Sequence, residues 1–405
     1  MKTLALMLLA FASPIITLQA ADWPQFRGPS ATSVAPEAVP DTAWQEKPNV
    51  LWTADLPGRG PSSPIVSGGR VFVTSSWGDP QDRLCVLALD AATGKELWRR
   101  EFWATGRTLI HPFAAVAAPS PATDGKHIFA FYSSNDLICL DFDGNLVWFR
   151  GLAYDWPKAG NDAGMGSSVV AIGDTVIVQM ENQGDSFAAG ISTDTGETRW
   201  RADRKRVACW CTPVSITVPG ENRPAVLLQS STELTAHDPR TGAQFWRHEA
   251  RCSTLSTLAA SGSRIFLPAA GITALEWSAA NEPPKVLWQS NRLNVSNCSP
   301  MFNADRLYMI NGAGVLNCAE AATGKSLWQL RLAAGQGSFW STPVIAGSRM
   351  YCFREDGTAL VVGLGDRGEL LGSHAFGEAI LASTAAADGA LYVRSDRHLW
   401  KIGSR

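Results

Sequence analysis

Leu87-Ala88-Leu89-Asp90-Ala91-Ala92-Thr93-Gly94-Lys95-Glu96-Leu97-Trp98 returns almost unchanged as Cys318-Ala319-Glu320-Ala321-Ala322-Thr323-Gly324-Lys325-Ser326-Leu327-Trp328. Each phrase reads as an apolar strand, a glycine turn and a second strand ending on tryptophan, since glycine accepts the positive φ of a tight hairpin. Weaker copies end at Trp52, Trp148, Trp200, Trp246 and Trp288, so that the seven tryptophans recur at steps of 40 to 52 residues. A four-stranded propeller blade needs about 40 to 50 residues. The chain is therefore a repeat protein, and all-β.

Working outward from the hairpin, each unit opens with a small-residue phrase: Ser62-Ser63-Pro64, Pro119-Ser120-Pro121, Ser167-Ser168-Val169, Cys211-Thr212-Pro213, Ser256-Thr257-Leu258, Cys298-Ser299-Pro300, Ser341-Thr342-Pro343 and Ser383-Thr384-Ala385. Small residues suit innermost strands that converge on a crowded channel, and proline is tolerated at a strand's first residue. A Gly or Asp turn and a β-branched, aromatic run follow, such as Val71-Phe72-Val73 or Val176-Ile177-Val178, which read as second strands. The turn glycine precedes the tryptophan by four residues in five units. Pro48 and Pro284 take its place before Trp52 and Trp288, and in the unit at Gly368 it is Gly372 that stands where tryptophan is expected. Outer-strand indoles at a fixed distance from a turn are expected to wedge between blades.

Eight openings set the blade count, and the two chain ends complement each other. Trp52 precedes the first opening, whereas the unit beginning at Ser383 stops at Arg405 after about three strands. The expectation is an eight-bladed propeller of four-stranded antiparallel blades, spanning residues 49–405 and closed by an N-terminal outer strand that completes the last blade. Ahead of it lie an expected N-terminal extension, residues 21–48, and an expected signal peptide, residues 1–20, with a charged start, a short apolar middle and a small-residue finish. That leader implies a periplasmic or extracellular location. No later run approaches the ~20 apolar residues of a membrane span, and no cysteine follows the leader to take a lipid.

A formal net charge of −2 argues against nucleic acid as a partner. Of eight cysteines, Cys85, Cys139, Cys318 and Cys352 lie in apolar strand patterns and are expected buried and unpaired. Cys209, Cys211, Cys252 and Cys298 fall at strand starts and are the disulfide candidates, with no pairing fixed by sequence. The six histidines lack zinc-ligand spacing, so no metal site is expected. Asp141-Phe142-Asp143-Gly144-Asn145 has the front of a calcium loop but occupies the hairpin turn of its unit and lacks the closing glutamate.

The two repeat phrases resemble the pyrroloquinoline-quinone-like (PQQ-like) propeller superfamily, as does Asp22-Trp23-Pro24-Gln25-Phe26-Arg27-Gly28-Pro29, which is similar to the opening of its exported bacterial members. The resemblance covers nearly all of the chain after the leader and implies an eight-bladed propeller. It includes quinone-dependent dehydrogenases and scaffolds similar to the propeller subunit of the outer-membrane barrel-assembly machine. The dehydrogenases carry adjacent cysteines, a cofactor-stacking tryptophan, and calcium held by Glu, Asn and Asp beside a catalytic Asp. The nearest match, Cys209-Trp210-Cys211, separates the thiols by a residue, and the barrel-assembly propeller's lipid-accepting cysteine is absent.

Loops from one blade's outer strand to the next blade's inner strand emerge together beside the channel mouth, where propellers bind partners. They carry Trp103, Arg107, His111, Trp156, Lys158, Asn161, Asp162, Trp210, Arg251, Arg292, Asn294, Phe339 and Trp340, the aromatic, Arg and Asn mixture of a recognition surface. Asp155, Asp162 and Glu378 are the acids on these loops. The sequence thus reads as a monomeric, exported, non-catalytic scaffold whose mouth binds a protein or polysaccharide, with no cofactor expected. The alternative is a PQQ- and calcium-dependent oxidoreductase using the same face.

Overall fold

A computed structural model describes residues 22–40, 44, 47–160, 163–332 and 338–404. The expected leader lies outside the described residues, as do Asn161 and Asp162. The described chain forms eight four-stranded sheets, each antiparallel throughout, and its only α-helix is the single turn Leu152–Asp155. The architecture is the eight-bladed propeller the repeat implies.

All eight small-residue openings lead into short inner strands: Ile65–Ser67, Ala122–Thr123, Val170–Ile172, Val214–Thr217, Ala259–Ser261, Met301–Asn303, Val344–Ala346 and Ala385–Ala387. The middle strands are covered on both faces by neighbouring blades, so Thr175–Met180 and Phe187–Ser192 are buried at every position. Outer strands meet a neighbour on one face only, and along Thr198–Asp203 just Trp200 is fully buried. Periodicity therefore changes across a blade because coverage does.

Strand Val50–Asp55 pairs antiparallel with the C-terminal strand His398–Ile402, Thr53 opposite Trp400. Asn49 extends the seam: its Nδ2 donates to the Gly403 carbonyl at 2.6 Å, and Gly403 N donates to its carbonyl at 3.1 Å. The two chain ends thereby share one blade, and the sheet edge that each would leave open is paired.

The tryptophans are wedges, and six of the seven seat on a glycine of the following blade, while Trp246 meets Trp277 with ring centroids 5.4 Å apart. A Cβ on Gly94 would sit 2.6 Å from Trp52, on Gly144 2.7 Å from Trp98, on Gly196 2.7 Å from Trp148 and on Gly242 2.6 Å from Trp200. The indole lies on the next blade's hairpin and donates to its backbone, as in Trp148 Nε1 to Thr193 O at 2.7 Å and Trp200 Nε1 to Pro239 O at 2.8 Å. Gly372 now has a reason: the blade after it is the one closed from both chain ends, which has no third-to-fourth hairpin to receive an indole.

Every outer strand also shifts register at the residue before the tryptophan position, as between Ala88 and Leu89 opposite Leu97. This bulge adds twist at the rim and turns side chains such as Leu97, Leu287 and Leu327 outward, where they are exposed. The Asp141–Asn145 phrase is such a hairpin turn, with Asn145 N donating to Asp141 Oδ1 at 2.8 Å.

Residues 22–35 cross the channel end opposite the mouth. Trp23 pairs with Val66 in the first blade, Thr123 N donates to Pro24 O in the second, and Ala35 N donates to Ile345 O in the seventh. Gly28 makes the turn at φ +80°, and a Cβ there would be 2.8 Å from the Trp23 ring. The extension is a plug that leaves the channel one mouth.

Candidate functional site

The channel wall is a ring of side-chain hydroxyls, one from each inner-strand opening. Ser63 N donates to Ser120 Oγ at 2.8 Å, Ser120 N to Ser168 Oγ at 3.0 Å, Ser168 N to Thr212 Oγ1 at 3.1 Å and Thr212 N to Thr257 Oγ1 at 3.0 Å. The ring continues through Ser299, Thr342 and Ser383 at 2.9 to 3.1 Å. In seven of the eight blades the amide is thus satisfied by the next blade's hydroxyl, which explains why Ser or Thr recurs at this place. Ser63 Oγ is buried without a partner.

This ring lines a well of about 160 Å³ whose floor includes Phe26 of the plug. Above it opens an apolar collar of about 410 Å³, lined by Pro61, His111, Phe113, Trp210, Leu255, Trp340 and Leu381 among others. Trp210 Nε1 donates to Gly164 O at 2.7 Å and Trp340 Nε1 to Glu355 Oε2 at 2.9 Å, so both indoles are held with a face free for contact.

Of the residues singled out from sequence, His111, Trp210 and Trp340 converge on the collar. Arg107, Lys158, Arg251, Arg292 and Asn294 are exposed on the mouth-side loops without lining it. Trp103 is 58% exposed, with the Arg83 guanidinium 3.2 Å from its ring centroid. Two aromatics depart from expectation. Phe339 is 2% exposed and packs in the apolar core around Cys298 and Met350, while Trp156 lies against Phe187 with ring centroids 4.1 Å apart. Both loops turn an aromatic inward to cover a blade edge. Sequence reasoning missed Phe113, Leu255 and Leu381, which are isolated apolar residues in polar loops, and it missed the hydroxyl ring although the Ser/Thr repeat was its signal.

It also counted acids only on loops leaving outer strands. Loops between second and third strands emerge on the same face and add Asp79, Asp82, Glu181, Asp185, Glu355, Asp356 and Asp396. Glu181 is buried, and burial raises its carboxyl even though Arg204 Nε bonds it at 2.7 Å. Arg204 also approaches Glu233 at 3.5 Å. These charges are spent on one another beneath the third and fourth blades.

All eight cysteines are free and buried, so no disulfide joins Cys209, Cys211, Cys252 or Cys298. Cys209-Trp210-Cys211 is extended, which sends Trp210 to the collar and both thiols inward. Cys209 Sγ donates to Gln229 O at 3.6 Å, and Gln229 Nε2 donates to Cys211 Sγ at 3.2 Å. Burial lifts the Cys211 thiol well above its ordinary range, which keeps it protonated and unreactive.

A calcium-bound quinone does not fit these residues. No acidic side chain lines the collar among the described residues, and they contain no group of three or more His, Cys, Asp or Glu suited to a metal ion. No described helix is long and apolar enough to cross a membrane.

Residues 42–153, 82–266 and 277–369 match the profile of the family described as outer membrane protein assembly factor BamB. The chain belongs to that family. Among solved structures it is similar to BamB from Moraxella catarrhalis, with 16% identity, 88% of this chain and 98% of that one covered, and a TM-score of 0.66. It is similar as well to quinohemoprotein alcohol dehydrogenase from Comamonas testosteroni, with 12% identity, 95% and 81% covered, and a TM-score of 0.67. A quinohemoprotein alcohol dehydrogenase from Pseudomonas putida HK5 gives 12%, 95%, 81% and 0.68. At these identities the likeness is one of fold. No curated protein sequence matches significantly.

Proposed function

We propose that this family member is an exported, non-catalytic scaffold that docks a protein partner on its mouth face. The observation that carries the reading is where the exposed large apolar side chains lie. They fall into two sets: outer-strand residues beside the bulges, and a mouth-side set made of Trp103 at the end of its outer strand, Tyr154 in the helical turn, and Leu109, Phe113, Val207, Leu255 and Trp340 on loops. Outer-strand exposure follows from blade geometry, but nothing in the fold requires the second set. With exposed Arg107, Lys158, Arg251 and Arg292 around it, that set has the apolar centre and polar rim of a protein interface. A polysaccharide would also stack on indoles, yet it needs polar side chains to hold its hydroxyls, and the collar is almost wholly apolar.

The test is site-specific photocrosslinking in the source periplasm, with the reactive residue at Phe113 or Trp340 and a control at Leu371 on the outer rim. One protein species captured at both mouth positions, and lost in Trp210→Ala/Leu255→Ala, supports docking. Absence of adducts at the mouth, or the same adducts from Leu371, would contradict it.

A further inference from the structure

The well beneath the collar has a chemistry of its own. Each ring oxygen already accepts an amide hydrogen from the preceding blade, and among the described residues none of these hydroxyls donates to a protein acceptor. Their protons are therefore unspent and surround the axis, joined by the unpartnered Ser63 hydroxyl. One lone pair per oxygen is occupied, so each of the seven hydroxyls keeps one free donor beside one free lone pair, and the charge behind the wall decides which is used.

Below the ring, the plug places a cation. Arg27 is buried, with Nη1 donating to Leu258 O at 2.8 Å and Nη2 to Pro300 O at 2.6 Å, one residue beyond the ring members Thr257 and Ser299. Among the described residues no carboxylate pairs with it. Burial lowers the guanidinium to about 9, which leaves it charged at neutral pH. Behind the wall on another side, Arg394 is equally buried and donates to Ser62 O at 3.0 Å and Thr74 O at 2.6 Å. The nearby Asp396 is engaged by Arg59 at 3.0 Å and by Gly60 N at 3.1 Å. Two guanidinium charges thus act on the low-dielectric well, where their field is screened far less than in water.

We infer that the axial well binds a compact anion, either a free halide or the carboxylate tip of an apolar ligand entering through the collar. Donor hydroxyls supply direct contacts and Arg27 the field. A cation would meet the positive charge of Arg27 and Arg394. The inference is independent of whether a partner docks above.

Crystals of the chain soaked in sodium bromide, and chloride-35 line widths in solution, test it. The wild type is expected to show an anomalous bromide peak on the propeller axis at the hydroxyl ring and saturable chloride broadening. Thr257→Val/Thr342→Val removes two donors while keeping shape and charge, and should weaken binding at least about tenfold, as loss of charge-assisted hydrogen bonds does. Arg27→Met should act likewise; if it does not fold, the threonine pair alone decides. Competition by benzoate identifies a carboxylate-tipped ligand, and bromide undisturbed by benzoate identifies the free ion. Absence of an axial bromide peak in the wild type, or broadening unchanged in Thr257→Val/Thr342→Val, overturns the inference.

Discussion

Replacing Trp200 with alanine removes one inter-blade wedge. The side chain is 8% exposed and packs with Val170, Ile177, Val226 and Leu228 across the third and fourth blades. Its ring lies parallel to His237 at a centroid separation of 6.3 Å, and its N–H reaches Pro239 O at 2.8 Å. Two features keep that slot open for an indole. A Cβ on Gly190 would be 2.1 Å from Nε1, and one on Gly242 2.6 Å from Cδ2, so neither glycine can refill the space that alanine leaves. The slot cannot collapse by small adjustments, and the expected loss is near the middle of the range for buried tryptophan, about 4 kcal/mol. The hydrogen bond accounts for about 1 kcal/mol of it. Urea denaturation followed by circular dichroism gives the change from the midpoint at constant slope. Trp103→Ala serves as comparison: at 58% exposure it loses mainly its Arg83 contact, about 0.5 to 1 kcal/mol. Equal losses in the two variants, or less than about 1 kcal/mol for Trp200→Ala, would refute the wedge reasoning.

Gly242→Ala should destabilise by at least about 1 to 2 kcal/mol from its φ of +73° alone, and Trp200→Ala should relieve part of the clash, so that the double variant loses less than the sum; strict additivity in urea midpoints would argue against the contact. Burial lowers the His237 imidazole below its ordinary 6.5. The unfolded chain therefore binds more protons as pH falls, and this contribution is complete above about pH 6.5 and lost progressively below it. His237→Gln should flatten the slope of stability between pH 7 and 5, and an unchanged slope would reject the assignment.

The propeller was legible because its signals are local and repeated. A Gly turn, a Leu-Trp ending and a Ser-Thr-Pro opening each describe one blade, and eight copies average out the defects at Pro284 and Gly372. Closure was readable too, since Trp52 lacks strands before it and Ser383 lacks one after. What escaped were relations between segments distant in sequence. Nothing in Phe26-Arg27 announces a plug whose guanidinium is bound by carbonyls of the fifth and sixth blades. The wedge between blades was readable from the fixed spacing of turn and tryptophan, but not that the indole would seat on the turn glycine of the next blade. The mouth was harder still. Phe339 and Trp340 are adjacent, yet one closes a core and the other lines the collar, because neighbouring side chains in extended backbone point opposite ways. Cys209 and Cys211 read as disulfide candidates from their position at a strand start, but that same alternation buries both thiols behind Trp210.

The ring as a closed wheel is tested most directly by amide hydrogen exchange along Val50–Asp55 and His398–Ile402. If the chain ends share one blade, both segments exchange slowly and lose protection together, at a rate matching the outer strand Thr198–Asp203. Rapid exchange in both segments while Ala390–Arg394 stays protected would mean that the last blade has an open edge, and the account of a single-mouthed, sealed propeller would not stand.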